Sequence, residues 1–230
     1  MNKTDIPWAD YSVNPVKGLC PMHCKDLDGE SYCYARAMYH RFKRNPEIRY
    51  CPSVLHTFSL AKPGSRIFVG STIELFGPWV KGKWLREIIQ ECAGRPWLDF
   101  IFLTKLPQHL RKYQPWPTNC WVGASATDND IASWALLNLP DVDASVRFLS
   151  CEPLLEQFNK PILQDIKQLN WLILGGRTGR KKFFPPEEWI KEIEQAADAA
   201  GIPVFEKPNL RAEGPFRQEF PASREVTATP

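Results

Sequence analysis

Short apolar runs that alternate with helical stretches constrain this chain more than any other feature. Arg66–Gly70, Phe100–Leu103, Cys120–Gly123, Val146–Leu149 and Trp171–Leu174 are continuous apolar segments of strand length. Tyr11–Val16 and Pro203–Phe205 add a first and a last candidate strand. Between them the apolar spacing predicts helices over Tyr34–Arg44, Lys83–Cys92, Pro107–Tyr113, from Asp128 through Leu139, over Ile162–Leu169 and over Pro186–Ala200. The last is the best marked, with proline at its start, Glu187 and Glu188 in its first turn and Gly201 just past its end. Runs that are apolar throughout suit strands buried on both faces, so the alternation predicts a parallel sheet covered by helices.

Such a sheet is either doubly wound or curled toward a barrel, and the polar residues favour the barrel. Each apolar run gives way at its C-terminal end to hydrogen-bonding or reactive groups: Ser71, Thr72 and Glu74; Thr104 and Lys105; Ser125; Ser150, Cys151 and Glu152; Gly175, Gly176 and Arg177; Glu206 and Lys207. In (β/α) barrels the site is built from strand C-termini and the loops that leave them. The expected fold is therefore α/β, a partial (β/α) barrel of about six or seven parallel strands, TIM-barrel-like. Residues 1–220 read as a single domain and 221–230 as a loose C-terminal tail.

Three of the seven cysteines, Cys20, Cys24 and Cys33, fall in the loop after the first candidate strand, while Cys51, Cys92, Cys120 and Cys151 are scattered singly. Clustered thiolates suit a soft or borderline metal. An iron–sulfur cubane usually takes four cysteines, so three leave one iron open or need a ligand from elsewhere. A Cys3His zinc site using His23 or His40 and a set of unrelated thiols fit the spacing as well. An odd cysteine count and no apolar leader over Met1–Tyr11 point to a reducing, cytoplasmic setting. No run approaches the length of a membrane span. A net charge of +3 does not by itself demand a nucleic-acid partner.

The loop Cys20-x3-Cys24, closing on Tyr32-Cys33-Tyr34-Ala35, resembles the cluster loop of radical S-adenosylmethionine enzymes. More closely, the chain resembles an uncharacterised radical-S-adenosylmethionine-like family first noted among bacteriophage proteins. The matching pieces include Asn14-Pro15-Val16-Lys17-Gly18, Phe68-Val69-Gly70-Ser71, Phe102-Leu103-Thr104-Lys105, Trp121-Val122-Gly123-Ala124-Ser125, Phe148–Leu155 and Trp171–Gly176. They span about residues 8 to 210. One departure stands out: eight residues separate Cys24 from Cys33, where the superfamily's commonest loop has two. Lys25–Glu30 reads as a solvated excursion ahead of Tyr32, which keeps the aromatic place; a longer loop costs little closure entropy.

The resemblance implies a [4Fe-4S] cluster on Cys20, Cys24 and Cys33, with S-adenosylmethionine on the fourth iron and a 5′-deoxyadenosyl radical as the reactive product. It assigns Tyr32, Ser71, Thr72, Glu74, Lys105, Ser125, Gly175 and Gly176 to cofactor binding. Glu74 would accept from the ligand's ammonium, Lys105 would neutralise its carboxylate and Ser125 would meet the ribose. Gly175 and Gly176 lack the dinucleotide-fingerprint order, and are expected to let a backbone approach the cofactor. Glu152 is a candidate substrate acid or base, or a structural ion-pair partner. Cys151 is a candidate hydrogen donor or an inert packed thiol.

The implied partners are an electron donor of flavodoxin or ferredoxin type and an unknown substrate. Arg177, Arg180, Lys181 and Lys182 beside Phe183 and Phe184 suit phosphates and bases, and a solvated loop explains them equally. The barrel and cluster loop also resemble, more distantly, spore photoproduct lyase, a DNA-repair member of the superfamily. Nucleic acid or a nucleotide is thus the candidate substrate. A non-catalytic, metal-stabilised (zinc or iron–sulfur) nucleic-acid-binding module is the alternative from another functional class.

Overall fold

Eight strands make one mostly parallel sheet in the computed structural model, which describes residues 1–179 and 181–222. They are β1 (Asn2–Lys3), β2 (Tyr11–Val13), β5 (Arg66–Val69), β6 (Asp99–Thr104), β7 (Cys120–Ser125), β8 (Val146–Cys151), β9 (Trp171–Leu174) and β10 (Val204–Glu206), in that spatial order. A separate two-stranded antiparallel sheet pairs β3 (Val16–Lys17) with β4 (Arg49–Tyr50). The strand-to-strand crossovers run through α1 (Tyr34–Arg41), α2 (Gly82–Ala93), α3 (Asn129–Asn138), α4 (Lys160–Asp165) and α5 (Glu187–Ala200), with 3-10 segments at Pro52–Leu60, Pro107–Tyr113 and Ile166–Gln168. The α/β class and the dominant parallel pairing are those the sequence predicts. No helix among the described residues is long and apolar enough to cross a membrane.

The chain divides into two compact units. The first holds Met1–Trp121 with Asp143–Ser145. In it β2, β5 and β6 pair in parallel, and the register sets Val69 beside Phe102, so Ser71 and Thr104 leave their strands side by side. Its core is apolar and tight: Phe58, Ile67, Leu85, Ile88, Phe100, Ile101 and Phe102 are inaccessible to solvent. Helix α2 buries Leu85, Ile88, Ile89 and Cys92 along one stripe, each large aliphatic contributing about 1.5–3 kcal/mol.

The second unit holds Val122–Val142 and the described chain from Val146 onward. In it β8, β9 and β10 pair in parallel, with Cys151 beside Leu174 and Leu174 beside Glu206. Glu152, Gly175 and Lys207 therefore emerge together. Asp128 caps α3 by accepting from Ile131 N at 2.9 Å, and Asn159 caps α4 by accepting from Ile162 N at 3.1 Å. Gly201 ends α5 in the left-handed conformation.

Several boundaries differ from expectation for physical reasons. The run Tyr11–Val16 is two strands in two sheets, because Asn14-Pro15 interrupts it and Pro15 has no N–H to donate. Helix α1 stops at Arg41 rather than Arg44, and Pro107–Tyr113 is 3-10 rather than α. The stretch expected over Ile162–Leu169 begins earlier as α4 and tightens to 3-10 at Ile166. Within the expected 221–230 tail, residues 223–230 lie outside the described residues.

Candidate functional site

The ends of β2, β5 and β6 in the first unit carry a continuous polar scaffold. Gly70, at φ +85°, turns the chain out of β5; a Cβ there would meet Leu75 at 2.5 Å. The turn presents Ser71 and Thr72 to Asn14 at the end of β2. Asn14 Nδ2 donates to Ser71 Oγ at 3.1 Å, and Asn14 Oδ1 accepts from Thr72 N at 3.1 Å and Thr72 Oγ1 at 3.0 Å. The Tyr34 hydroxyl donates to the Ser71 carbonyl, tying the first residue of α1 to the same turn.

Glu74 is buried and gathers three donors. Its Oε1 accepts from Phe76 N at 3.0 Å and Thr104 Oγ1 at 2.7 Å, and its Oε2 accepts from Lys105 N at 2.8 Å. The carboxylate thus latches the loop after β5 to the end of β6. A carboxylate offers about four lone-pair positions, so one remains for a further donor.

Against this scaffold lies the cysteine loop. Arg36 holds it by donating from Nη2 to the carbonyls of Cys20 at 2.6 Å and Met22 at 3.1 Å. Cys33 is the N-cap of α1, its sulfur accepting from Arg36 N at 3.4 Å. The Cys20 sulfur accepts from Glu74 N, also at 3.4 Å. Backbone N–H groups aimed at sulfur favour thiolate and tune metal–thiolate centres.

The three thiols differ in acidity. The Cys33 thiol is lowered to about 5, first by the hydrogen bond from Cys24, then by N–H groups of Arg36 and Ala35 and by the charge of Lys105. Cys24 is pushed up by that same hydrogen bond and by burial, with Lys105 opposing. Cys20 is raised by burial first, then by the charges of Glu74 and Cys33. The Lys25–Glu30 excursion closes on itself: Lys25 bridges Ser31, and Asp26 Oδ1 accepts from Glu30 N at 2.7 Å.

All three cysteines are free thiols. Among the described residues, no group of three or more His, Cys, Asp or Glu side chains is already arranged to hold a metal ion. The donor chemistry nonetheless fits a soft metal centre: three thiols in one loop, N–H donors on two of the sulfurs, and a lysine charge acting on Cys24 and Cys33.

The second unit carries its own polar strand ends. Lys207 Nζ pairs with Glu152 Oε2 at 2.9 Å, each about one-fifth exposed. Cys151 is wholly buried, and burial pushes its thiol up. Ser125 and Ser150 are buried too, and Ser150 Oγ has no partner among the described residues. Gly176 permits a close backbone approach, but the approaching groups are the chain's own: a Cβ would stand 2.3 Å from the Asn209 carbonyl oxygen and 2.7 Å from that of Phe183. Gly175 faces Glu152, Lys207 and Asn209 side chains. Arg177 and Phe183 bridge antiparallel across the basic loop, whose Arg180 lies outside the described residues.

Comparison with known proteins fits this picture. Residues 3–213 match the family described as "protein of unknown function (DUF5131)". The chain belongs to that family. No curated protein matches the DUF5131 chain. Its fold resembles solved structures of spore photoproduct lyase. A cysteine-to-serine mutant superposes with a TM-score of 0.61 at 14% identity, covering 90% of this chain and 79% of that one. A mutant with bound AdoMet and dinucleoside spore photoproduct gives 0.58 at 13% identity, covering 86% of this chain and 63% of the lyase. The DUF5131 chain thus spans less than two thirds of that lyase chain. The likeness carries the fold, a mostly parallel sheet like the lyase's partial barrel.

The structure brings seven of the expected residues into the first unit's polar scaffold and cysteine loop: Cys20, Cys24, Cys33, Ser71, Thr72, Glu74 and Lys105. Tyr32 lies in the same loop, its N–H donating to the Cys24 carbonyl at 3.3 Å. Ser125, Cys151, Glu152, Gly175 and Gly176 belong to the second unit. Asn14 and Arg36 are the residues that sequence reasoning missed. For Asn14 the signal is an Asn at a strand end directly before Pro15. Arg36 had none, because its acceptors are carbonyls 14 and 16 residues away in the chain.

Proposed function

We propose that this chain is a radical S-adenosylmethionine enzyme whose cluster is held by Cys20, Cys24 and Cys33. The observation that carries the reading is the convergence of three free thiols, sulfur-directed N–H groups and the Lys105 charge beside the Glu74 latch. The AdoMet-bound neighbour of like fold supports it. When bound, a [4Fe-4S] cluster with S-adenosylmethionine supplies a reductively generated 5′-deoxyadenosyl radical that abstracts hydrogen from substrate.

The chain's own residues have physical tasks around that chemistry. Arg36 and Asn14 fix the loop and the turn before any ligand arrives, which lowers the ordering cost of binding. Glu74 keeps one acceptor position for the ligand's ammonium, a charge-assisted contact. Lys105 offsets negative charge at the thiolates and meets the ligand's carboxylate. Tyr32 in the cysteine loop and Ser71 and Thr72 in the turn after β5 are proposed as further cofactor contacts, and Ser125 with Gly175 is assigned to the nucleoside side. Glu152, paired with Lys207, is the group proposed to exchange a proton with substrate. Cys151 stays protonated through burial, as a hydrogen-atom donor must. An electron donor of flavodoxin or ferredoxin type would reduce the centre. The neighbours that carry a dinucleoside favour a nucleic-acid-like substrate.

The test is anaerobic reconstitution with iron and sulfide, then dithionite and S-adenosylmethionine. Formation of 5′-deoxyadenosine is the expected result. A reconstituted, reduced protein that binds S-adenosylmethionine but never releases 5′-deoxyadenosine would overturn the reading.

A further inference from the structure

We infer that the C-terminal end of α1 is a binding surface for single-stranded nucleic acid, with Phe42 as the base-stacking platform and Arg41, Lys43 and Arg44 as phosphate contacts. The inference deepens the nucleic-acid reading of the substrate and rests on it only there, since binding is measurable without turnover.

The sequence from Arg36 to Tyr50 holds five Arg or Lys (36, 41, 43, 44 and 49) and one carboxylate, Glu47. Residues 40 to 47 are all exposed. Phe42 is 57% exposed. Two guanidinium groups flank it, Arg41 at 5.3 Å and Arg44 at 5.5 Å from the ring centroid. Among the described residues no carboxylate pairs with Arg41, Lys43 or Arg44. The arrangement is an exposed aromatic ring with two unneutralised guanidinium groups over it, and aromatic and arginine groups of this kind bind single strands through stacking and phosphate contacts.

Two local rules are broken here, each in favour of positive charge. Helix α1 ends in a Schellman motif: Arg44 N donates to the Tyr39 carbonyl at 3.1 Å and Lys43 N to that of His40 at 3.3 Å. The left-handed position of that motif usually belongs to glycine, yet Lys43 occupies it at φ +45°. The β3–β4 sheet is tied to the same region by Gly18 N donating to Tyr39 Oη at 2.8 Å and by Leu19 N donating to the Pro46 carbonyl at 2.9 Å. Its register sets Lys17 directly opposite Arg49, a like-charge pair that disfavours the pairing. Departures from local preference are expected where function requires them.

The glycine position supplies a discriminating variant. Lys43→Gly removes a charge while relaxing the backbone, so weaker binding cannot be ascribed to damage. Fluorescence anisotropy with a labelled single-stranded oligonucleotide, across a salt series, reads the effect on the full chain. Phe42→Ala is expected to weaken binding about tenfold or more. Lys43→Gly, at unchanged or raised thermal stability, and Arg44→Gln should each weaken binding and lower the magnitude of the salt slope by about 0.7. Cys24→Ala should bind the oligonucleotide as the parent does, which separates this site from the cluster. Unchanged affinity and slope in the Phe42→Ala, Lys43→Gly, Arg44→Gln triple variant would overturn the inference. So would binding of the parent to phosphatidylserine-containing vesicles with none to the oligonucleotide.

Discussion

Two sets of cysteines within the first unit show how position decides what a thiol can do. Cys20, Cys24 and Cys33 lie in a loop, where N–H groups, a lysine charge and a thiol–thiol hydrogen bond act on sulfur. Cys92 on α2 and Cys120 on β7 have no solvent exposure. Burial pushes Cys92 well up, aided by its hydrogen bond to Cys120. The core pair also has two sulfurs in contact, so proximity alone does not create a candidate metal site. What distinguishes the loop is compensation at Cys33, where polar groups outweigh the cost of a thiolate that burial imposes, and the core offers few such groups.

The sharpest way to break that comparison is thiol labelling of the metal-free, reduced protein. Iodoacetamide at pH 7 should modify Cys33 on the order of a hundredfold faster than Cys92. The pH profile carries the sign. A thiol lowered to about 5 is already thiolate above that value, so Cys33 labelling should persist as pH falls to about 6 and fail through about 5. An ordinary thiol loses reactivity below about 8.5. Equal rates for the loop and core cysteines would erase the distinction.

A change to the scaffold is expected to have a smaller effect. Three donors converge on the two oxygens of Glu74. Glu74→Gln places an amide N–H2 where one donor needs an acceptor, costing about 2 kcal/mol, measurable by urea denaturation of the metal-free chain. Lys105→Met spares the backbone N–H that Glu74 accepts but removes the ammonium. S-adenosylmethionine binding to the reconstituted protein should weaken about tenfold, and calorimetric titration reads it. Unchanged affinity would return Lys105 to a purely structural role.

The smallest effect concerns packing. Cys92→Ala leaves a void in a close-packed region and should cost about 1 kcal/mol, whereas Cys24→Ala in the metal-free protein should stay within about 0.5 kcal/mol. If the order is reversed, the loop carries structural weight that its exposure does not suggest.

Much of the fold was legible because its signals are local. Trp171–Leu174 is a strand at the bounds the apolar run gives, and α5 is announced by Pro186 and closed by Gly201. Elements that depend on distant partners were not legible. The two-residue strands β3 and β4 exist only because they pair with each other, and the 3-10 turns at Pro52–Leu60 carry no helical period. The site divides in the same way. Clustered cysteines and polar strand ends are visible in one dimension. Arg36 reaching two carbonyls and Glu74 gathering three donors are products of the folded chain. At Gly176 the close approach of the Asn209 and Phe183 carbonyls is likewise a product of the folded chain.

The central claim is that the loop cysteines, and not the others, hold a redox centre. Its most direct test is iron and acid-labile sulfide per chain after anaerobic reconstitution of single Cys→Ala variants. The account predicts loss of the centre in Cys20→Ala, Cys24→Ala and Cys33→Ala, and parental content in the Cys51, Cys92 and Cys120 variants. Full content in any one of the first three, or loss in Cys51→Ala, would contradict it.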